Sequence, residues 1–244
     1  MFPPTELPLP GELLLITDEL PSPADFLLHK LLADHLKHVR GTTAQSRCLI
    51  LATLHDPARW KHIAAKSNVN LDQHIASQSL SFIDVLSQLR SITTSTLRPL
   101  YDVVRTHLQT AVVDEGHTLV ILDDVSPLEW IGYSTTELSH FLRALSALCR
   151  RHNAALVIRH HAITPGDPDD LLRHLLQLAS YHVDVRPLSS GRSGTVSGEI
   201  ALHTGACCRP AAQVKLIPRS AAVQYRLTDT GATFFDKGTS AGVL

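Results

Sequence analysis

The sequence predicts an α/β fold: a mostly parallel, twisted sheet flanked by helices, with β-hairpins extending it at the C-terminal end. Short apolar strand-like runs alternate with helix-like segments over about the first 180 residues, the pattern of an α/β core. The best-defined unit reads strand, helix, strand with both strands apolar, as a buried parallel crossover requires. Beyond it, helical periodicity gives way to short strands separated by Gly, Ser and Pro.

Residues 1–11 are proline-rich and read as a flexible lead-in, followed by one domain over 12–244 whose β-rich part begins at about residue 180. The first strand is Glu12–Ile16, "ELLLI". A helix follows, with Ser22 expected as N-cap, Pro23 at the first helical position and Asp25 completing a capping-box-like pattern. Leu28, Leu31, Leu32, Leu36 and Val39 recur at helical spacing, and Gly41 stops the run. Cys48–Ala52 is the second strand, Pro57–Ser67 a helix, and Leu80–Ile83 a third strand. Leu97, Leu100, Tyr101 and Val104 mark the next helix.

Strand Leu119–Leu122 opens the crossover unit. Ser134 and Glu137 are placed as a capping box, and Leu138, Phe141, Leu142, Leu145, Leu148 and Cys149 form one apolar face. Arg150 and Arg151 fall in the last turn, where cations suit the helix dipole. Strand Ala155–Arg159 closes the unit, and a helix near Asp169–Ala179 follows. "YHVDV", "GEIALH", "QVKLI" and "VQYRL" then read as strands of hairpins. The sequence shows no internal repeat.

The bulk numbers narrow the function classes. With 244 residues the chain can bury a sizeable core, and 44% hydrophobic with 18% charged residues is a globular composition. The net charge of −1 means that nucleic-acid binding needs a local patch or a shared surface. No apolar run approaches the length that crosses a bilayer, and the N-terminal residues lack the basic start and apolar stretch of a signal peptide. Four cysteines, two of them adjacent, are no secreted disulfide framework, so the expected compartment is the cytosol or nucleus.

The strand "TLVILDD" ends in Asp123 and Asp124. In P-loop ATPases such a strand carries the aspartate that helps hold Mg²⁺. A phosphate loop also needs glycines for close approach, a Lys for the phosphates and a Ser/Thr for the metal. Thr17–Phe26 has no glycine and no lysine, two prolines, and three acidic residues, Asp18, Glu19 and Asp25. Lys30 lies a full turn or more into the helix. Asp123 and Asp124 therefore read as a polar strand end whose carboxylates are satisfied by nearby backbone amides, and a fold outlives a lost site.

Other motifs are weaker. Fifteen histidines include the adjacent His160 and His161, which point to opposite faces of a strand and make a poor metal pair. His29, His35 and His38 are placed on the polar face of the first helix. Cys207 and Cys208 form no Cys-x-x-Cys and read as small, half-buried side chains. No Gly-x-Ser-x-Gly elbow is present. "SSGRSGTVSG" precedes a strand, so it lacks the helix N-terminus that binds phosphate.

Val223–Leu244, "VQYRLTDTGATFFDKGTSAGVL", resembles the C-terminus of the Elongator complex subunit 6 family through Tyr225, Phe234, Phe235, Lys237, Gly238, Ser240, Val243 and Leu244. "LVILDDVSPL" and "LRPLYDVVRTHL" are similar to that family too. The resemblance implies a RecA-like fold without a working P-loop and with no cofactor of its own. It implies a heterohexameric ring with subunits 4 and 5, two copies each, that binds tRNA and docks on the catalytic Elongator subunits. It further implies a part in modifying the wobble uridine, U34, of tRNA. Arg186, Arg192, Arg209, Lys215 and Arg219 become candidate tRNA contacts, and Phe234, Phe235, Val243 and Leu244 candidate interface anchors. The competing expectations are a divergent RecA-like ATPase and a DNA-repair accessory protein.

Overall fold

A computed structural model describes residues 2, 4, 7–38, 47–90, 96–109, 117–164, 166–191, 193–209 and 214–237. Six parallel strands form its centre: β1 (Leu13–Glu19), β2 (Arg47–Ala52), β3 (Leu80–Asp84), β4 (Thr118–Leu122), β5 (Ala155–Ala162) and β6 (Tyr181–Arg186). β7 (Gly198–Thr204), β8 (Val223–Thr228) and β9 (Gly231–Phe235) continue the sheet antiparallel. The order is β3-β2-β4-β5-β1-β6-β7-β8-β9. This is the RecA-like class expected from the sequence: a mostly parallel sheet, helices on its faces and a C-terminal hairpin.

The helices are α1 (Asp25–His38), α2 (Pro57–Lys66), α3 (Leu71–Ala76), α4 (Val85–Arg90), α5 (Arg98–Gln109), α6 (Ser126–Trp130), α7 (Thr135–Arg151) and α8 (Asp170–Leu178). Side chains alternate across a strand, so each strand feeds two cores. Leu14, Ile16, Ile50, Ile121 and Val157 meet Leu28 and Leu32 of α1 and Trp60 of α2 on one face. Leu13, Leu15, Leu51, Leu122 and Ile158 meet Val104 of α5, Leu142 and Leu145 of α7 and Leu175 of α8 on the other. The crossover unit stands as read: β4 and β5 are parallel neighbours joined through α7.

Four local readings change. His29 is not on the polar face of α1: it is buried and packs 4.2 Å from the Trp60 ring, because α1 turns that side toward α2. Ser22 is not the cap of α1: its backbone pairs with Glu19 and its hydroxyl donates to the Ser197 carbonyl. Asp18 takes the capping part, accepting from the Ala24 amide at 2.6 Å, because a carboxylate is a stronger acceptor than a hydroxyl. Residues 214–217 of "QVKLI" make only an isolated bridge, Leu202 to Ile217, and Pro218 has no N–H with which to continue it. The Ser134 hydroxyl caps α7 by accepting from the Glu137 amide, while the Glu137 carboxylate accepts from the Leu97 amide and ties α7 to the start of α5. Val39 and Gly41 lie outside the described residues. In the lead-in, Phe2 and Leu7 are buried, and the Phe2 ring centroid is 5.3 Å from that of Phe234.

Candidate functional site

Ligands of open α/β sheets bind outside the carboxyl ends of the strands. Here that edge lies beyond β2, β4, β5 and β1, which are neighbours in the sheet. It holds a buried ionic cluster built by the chain itself. Arg159, 3% exposed, is the last side chain of "ALVIR" and lies among three aspartates. Its guanidinium is ion-paired to Asp25, lies 2.9 Å from Asp124 and 3.9 Å from Asp18.

Each carboxylate has further partners. Asp18, besides capping α1, lies 2.9 Å from Nδ1 of His161. Asp25 lies 3.3 Å from Nε2 of His55. Asp123 accepts from the amides of Thr53 at 2.7 Å, Leu54 at 3.3 Å and His55 at 3.2 Å, which fixes the turn after β2. Asp124 accepts from the Ser126 amide at 2.8 Å and so holds the start of α6. The reading of this strand end as satisfied by backbone amides therefore agrees with the geometry, with Arg159 added to it.

Burial pushes the Asp124 carboxyl up to about 6, against hydrogen bonds from Ser126 that favour the anion. Burial also lowers the Arg159 guanidinium from its ordinary range. His160 and His161 diverge as expected, His160 to Asp169 at 3.1 Å and His161 to Asp18. The His160 hydrogen bond holds the Asp169 carboxyl below its usual value. Among the described residues there is no cluster of three or more His, Cys, Asp or Glu arranged to hold a metal. Cys207 and Cys208 are free and half-buried, and Cys207 donates to the Gln177 carbonyl at 3.2 Å.

Around this polar floor stand exposed apolar side chains. Leu20 follows β1, Leu54 follows β2, Trp130 and Ile131 end the helix after β4, and Ile163 follows β5. Leu20 is 81% exposed, Ile163 64% and Trp130 56%. Sequence reading missed both this rim and Arg159. A charged residue inside an otherwise apolar strand was the available signal for Arg159, since buried charges need partners.

The candidate tRNA contacts are spread over the C-terminal part. Arg186 and Arg219 converge on Asp184, at 3.0 and 2.5 Å, by the carboxyl end of β6. Arg209 pairs with Glu12 at 2.9 Å, at the opposite end of the parallel strands. Lys215 is exposed, two residues before the Ile217 bridge. Arg192 lies outside the described residues, as do Val243 and Leu244. Phe234 packs on the chain's own core, its ring centroid 6.4 Å from that of Phe26, and Phe235 is half-buried opposite Gln224. No helix among the described residues is long and apolar enough to cross a membrane.

Comparison with known proteins places these features in a family. The family described as Elongation complex protein 6 matches residues 3–229. Elongator complex protein 6 of Xenopus tropicalis is 26% identical, over 96% of this chain and 93% of that protein. Elongator complex protein 6 of Homo sapiens is 24% identical, again over 96% of this chain and 93% of its own length. With the family match running through both halves of the sheet, the chain belongs to the Elongation complex protein 6 family.

Proposed function

We propose that the chain is a non-catalytic subunit of the Elongator complex. The observation that carries the non-catalytic reading is the Asp18 carboxylate on the Ala24 amide. A helix N-terminus of this kind is where a phosphate would be held. A nucleotide placed there would face Asp18, Asp25 and Asp124, with Arg159 already engaged by all three. Like charges in a buried site oppose one another, so the arrangement disfavours a triphosphate.

In this reading the chain is a RecA-like member of the accessory heterohexameric ring with Elongator subunits 4 and 5. Through the ring it reaches the catalytic subunits and supports tRNA binding and modification of the wobble uridine, U34, in the cytoplasm and nucleus. The exposed Leu20, Leu54, Trp130, Ile131 and Ile163 suit the centre of a protein contact, and a stable one buries about 1,200–2,000 Å². Phe234 and Phe235 offer a second contact at the β9 end of the sheet, and Val243 and Leu244 are proposed as further anchors. Arg186, Arg192, Arg209, Lys215 and Arg219 are the proposed phosphate contacts.

Native mass spectrometry of the chain co-expressed with subunits 4 and 5 tests the reading. A two-two-two hexamer is expected. A lone monomer, with the other two assembling without it, overturns it. Nucleotide binding by the isolated chain would then favour the divergent ATPase, and DNA binding the repair accessory protein. Within an assembled ring, Arg192→Glu with Arg209→Glu is expected to weaken tRNA binding and flatten its salt dependence. Unchanged affinity removes those two residues from the tRNA surface.

A further inference from the structure

A groove of about 440 Å³ lies away from the strand-end cluster, between α1, the end of α2 and the β8–β9 turn. Its volume falls in the range of small-molecule sites. Phe26, Ala33 and Ile63 give it apolar walls. Phe26 is held rigidly, stacked 4.6 Å from Tyr225.

His29 also lines the groove and is 8% exposed. Neither of its ring nitrogens has a hydrogen-bond partner among the described residues. Its ring packs 4.2 Å from that of Trp60, whose own indole N–H is likewise without one. Burial, with His55 and Arg59 nearby, pushes His29 down to about 3, so it stays neutral and offers one donor and one acceptor. Both His29 nitrogens are buried behind the groove wall, with Trp60 packed further in. Buried polar atoms left unpaired are uncommon and costly, so a ligand's polar group at this wall would satisfy one.

The rim supplies charge. Lys37 and Lys66 border the groove, are exposed, and make no ion pair with another described residue. Lys30 is neutralised by Asp34 at 3.1 Å, and Asp25 belongs to the Arg159 cluster. Asp229 on the turn is the remaining acidic group, which leaves the rim with one uncompensated positive charge.

We infer that this groove binds a small organic anion, with its apolar body against Phe26, Ala33 and Ile63, a polar atom met by a turn of the buried His29 ring, and its carboxylate or phosphate at Lys37 and Lys66. The site is independent of the assembly proposed above and of the strand-end cluster. Nothing in it calls for a chemical step: it is a binding site.

The test titrates the full-length chain with 1-naphthoate, 1-naphthyl phosphate and neutral 1-naphthol, followed by calorimetry and by the imidazole resonances of His29. Saturable one-to-one binding of an anionic probe is expected, with the His29 resonances shifting. The anion should bind about fivefold tighter than 1-naphthol, the scale of two exposed charge contacts. Lys37→Glu with Lys66→Glu should remove that preference without unfolding the chain. His29→Phe should weaken binding about tenfold while leaving stability unchanged or raised, because it also removes the unpaired nitrogens. Binding that does not saturate, equal affinity for 1-naphthol, unmoved His29 resonances, or full affinity in the Lys37/Lys66 variant would each overturn the site. The relative affinity of the two anions identifies which head group it prefers.

Discussion

Arg159 carries one positive charge into a setting that already holds Asp18, Asp25 and Asp124. Removing one member of a buried ion pair leaves the other charges uncompensated, at a cost of about 3–5 kcal/mol. Arg159→Met is therefore expected to lower unfolding stability by about that much in a urea titration at neutral pH. The pH profile separates the buried groups by sign. His29 and His182 are pushed down by burial, to about 3 and about 4. The unfolded chain binds their protons first, so stability falls as pH drops below their ordinary value near 6.5. Asp124 is shifted up to about 6, so its share is greatest at low pH and is lost as pH rises through that value. Stability should thus fall between about pH 6.5 and 4, less steeply in His29→Phe and more steeply in Asp124→Asn. The acidic strand end and the unsuitability of Thr17–Phe26 for phosphate were legible in the sequence, because both are local. The partners of Arg159 were not, because they come from β1, α1 and β4, up to 141 positions away by subtraction of Asp18 from Arg159.

Elements with long apolar periods were legible for a simple reason: a helix of 17 residues such as α7 repeats its pattern often enough to be unmistakable. α3, α4 and α6, with six, six and five residues, complete fewer than two turns and leave no readable period. The Ser22 cap was misassigned because Asp18, four positions upstream, folds back on the helix start through a tight backbone turn at Glu19–Ser22. Close packing also governs the link between α8 and β7. A side chain at Gly205 would run into the Ala179 carbonyl, and Gly205 donates its own amide to Ser180. Gly205→Ala is expected to destabilise by about 1–3 kcal/mol, visible as a lower melting temperature. Gly194→Ala, with open space around it, should serve as the neutral control.

At the scale of the whole molecule, the sheet order gathers loops from distant parts of the chain into one edge. That edge is charged within and apolar at its rim, and no single segment of sequence announces it. If it meets a neighbouring subunit, Trp130→Asp with Ile163→Asp should abolish hexamer formation in native mass spectrometry. Both side chains are largely exposed, so the isolated chain should lose little stability, within about 0.5 kcal/mol per site. A hexamer that survives both changes would move the contact elsewhere.

The position of β1 has a consequence for how the protein is made. Leu13 pairs with Leu156, and Leu14 with Tyr181, so β1 leaves the ribosome long before the strands that complete it. At about 5–20 residues per second, β1 waits about 8–30 s for its second neighbour. Until β5 is made, Leu13, Leu14, Leu15 and Ile16, all of them finally buried, have no neighbouring strand, and until β6 is made they have one on one side only. A nascent chain stalled before β6 would present this strand with an open edge, which makes it the natural ligand for a chaperone during synthesis.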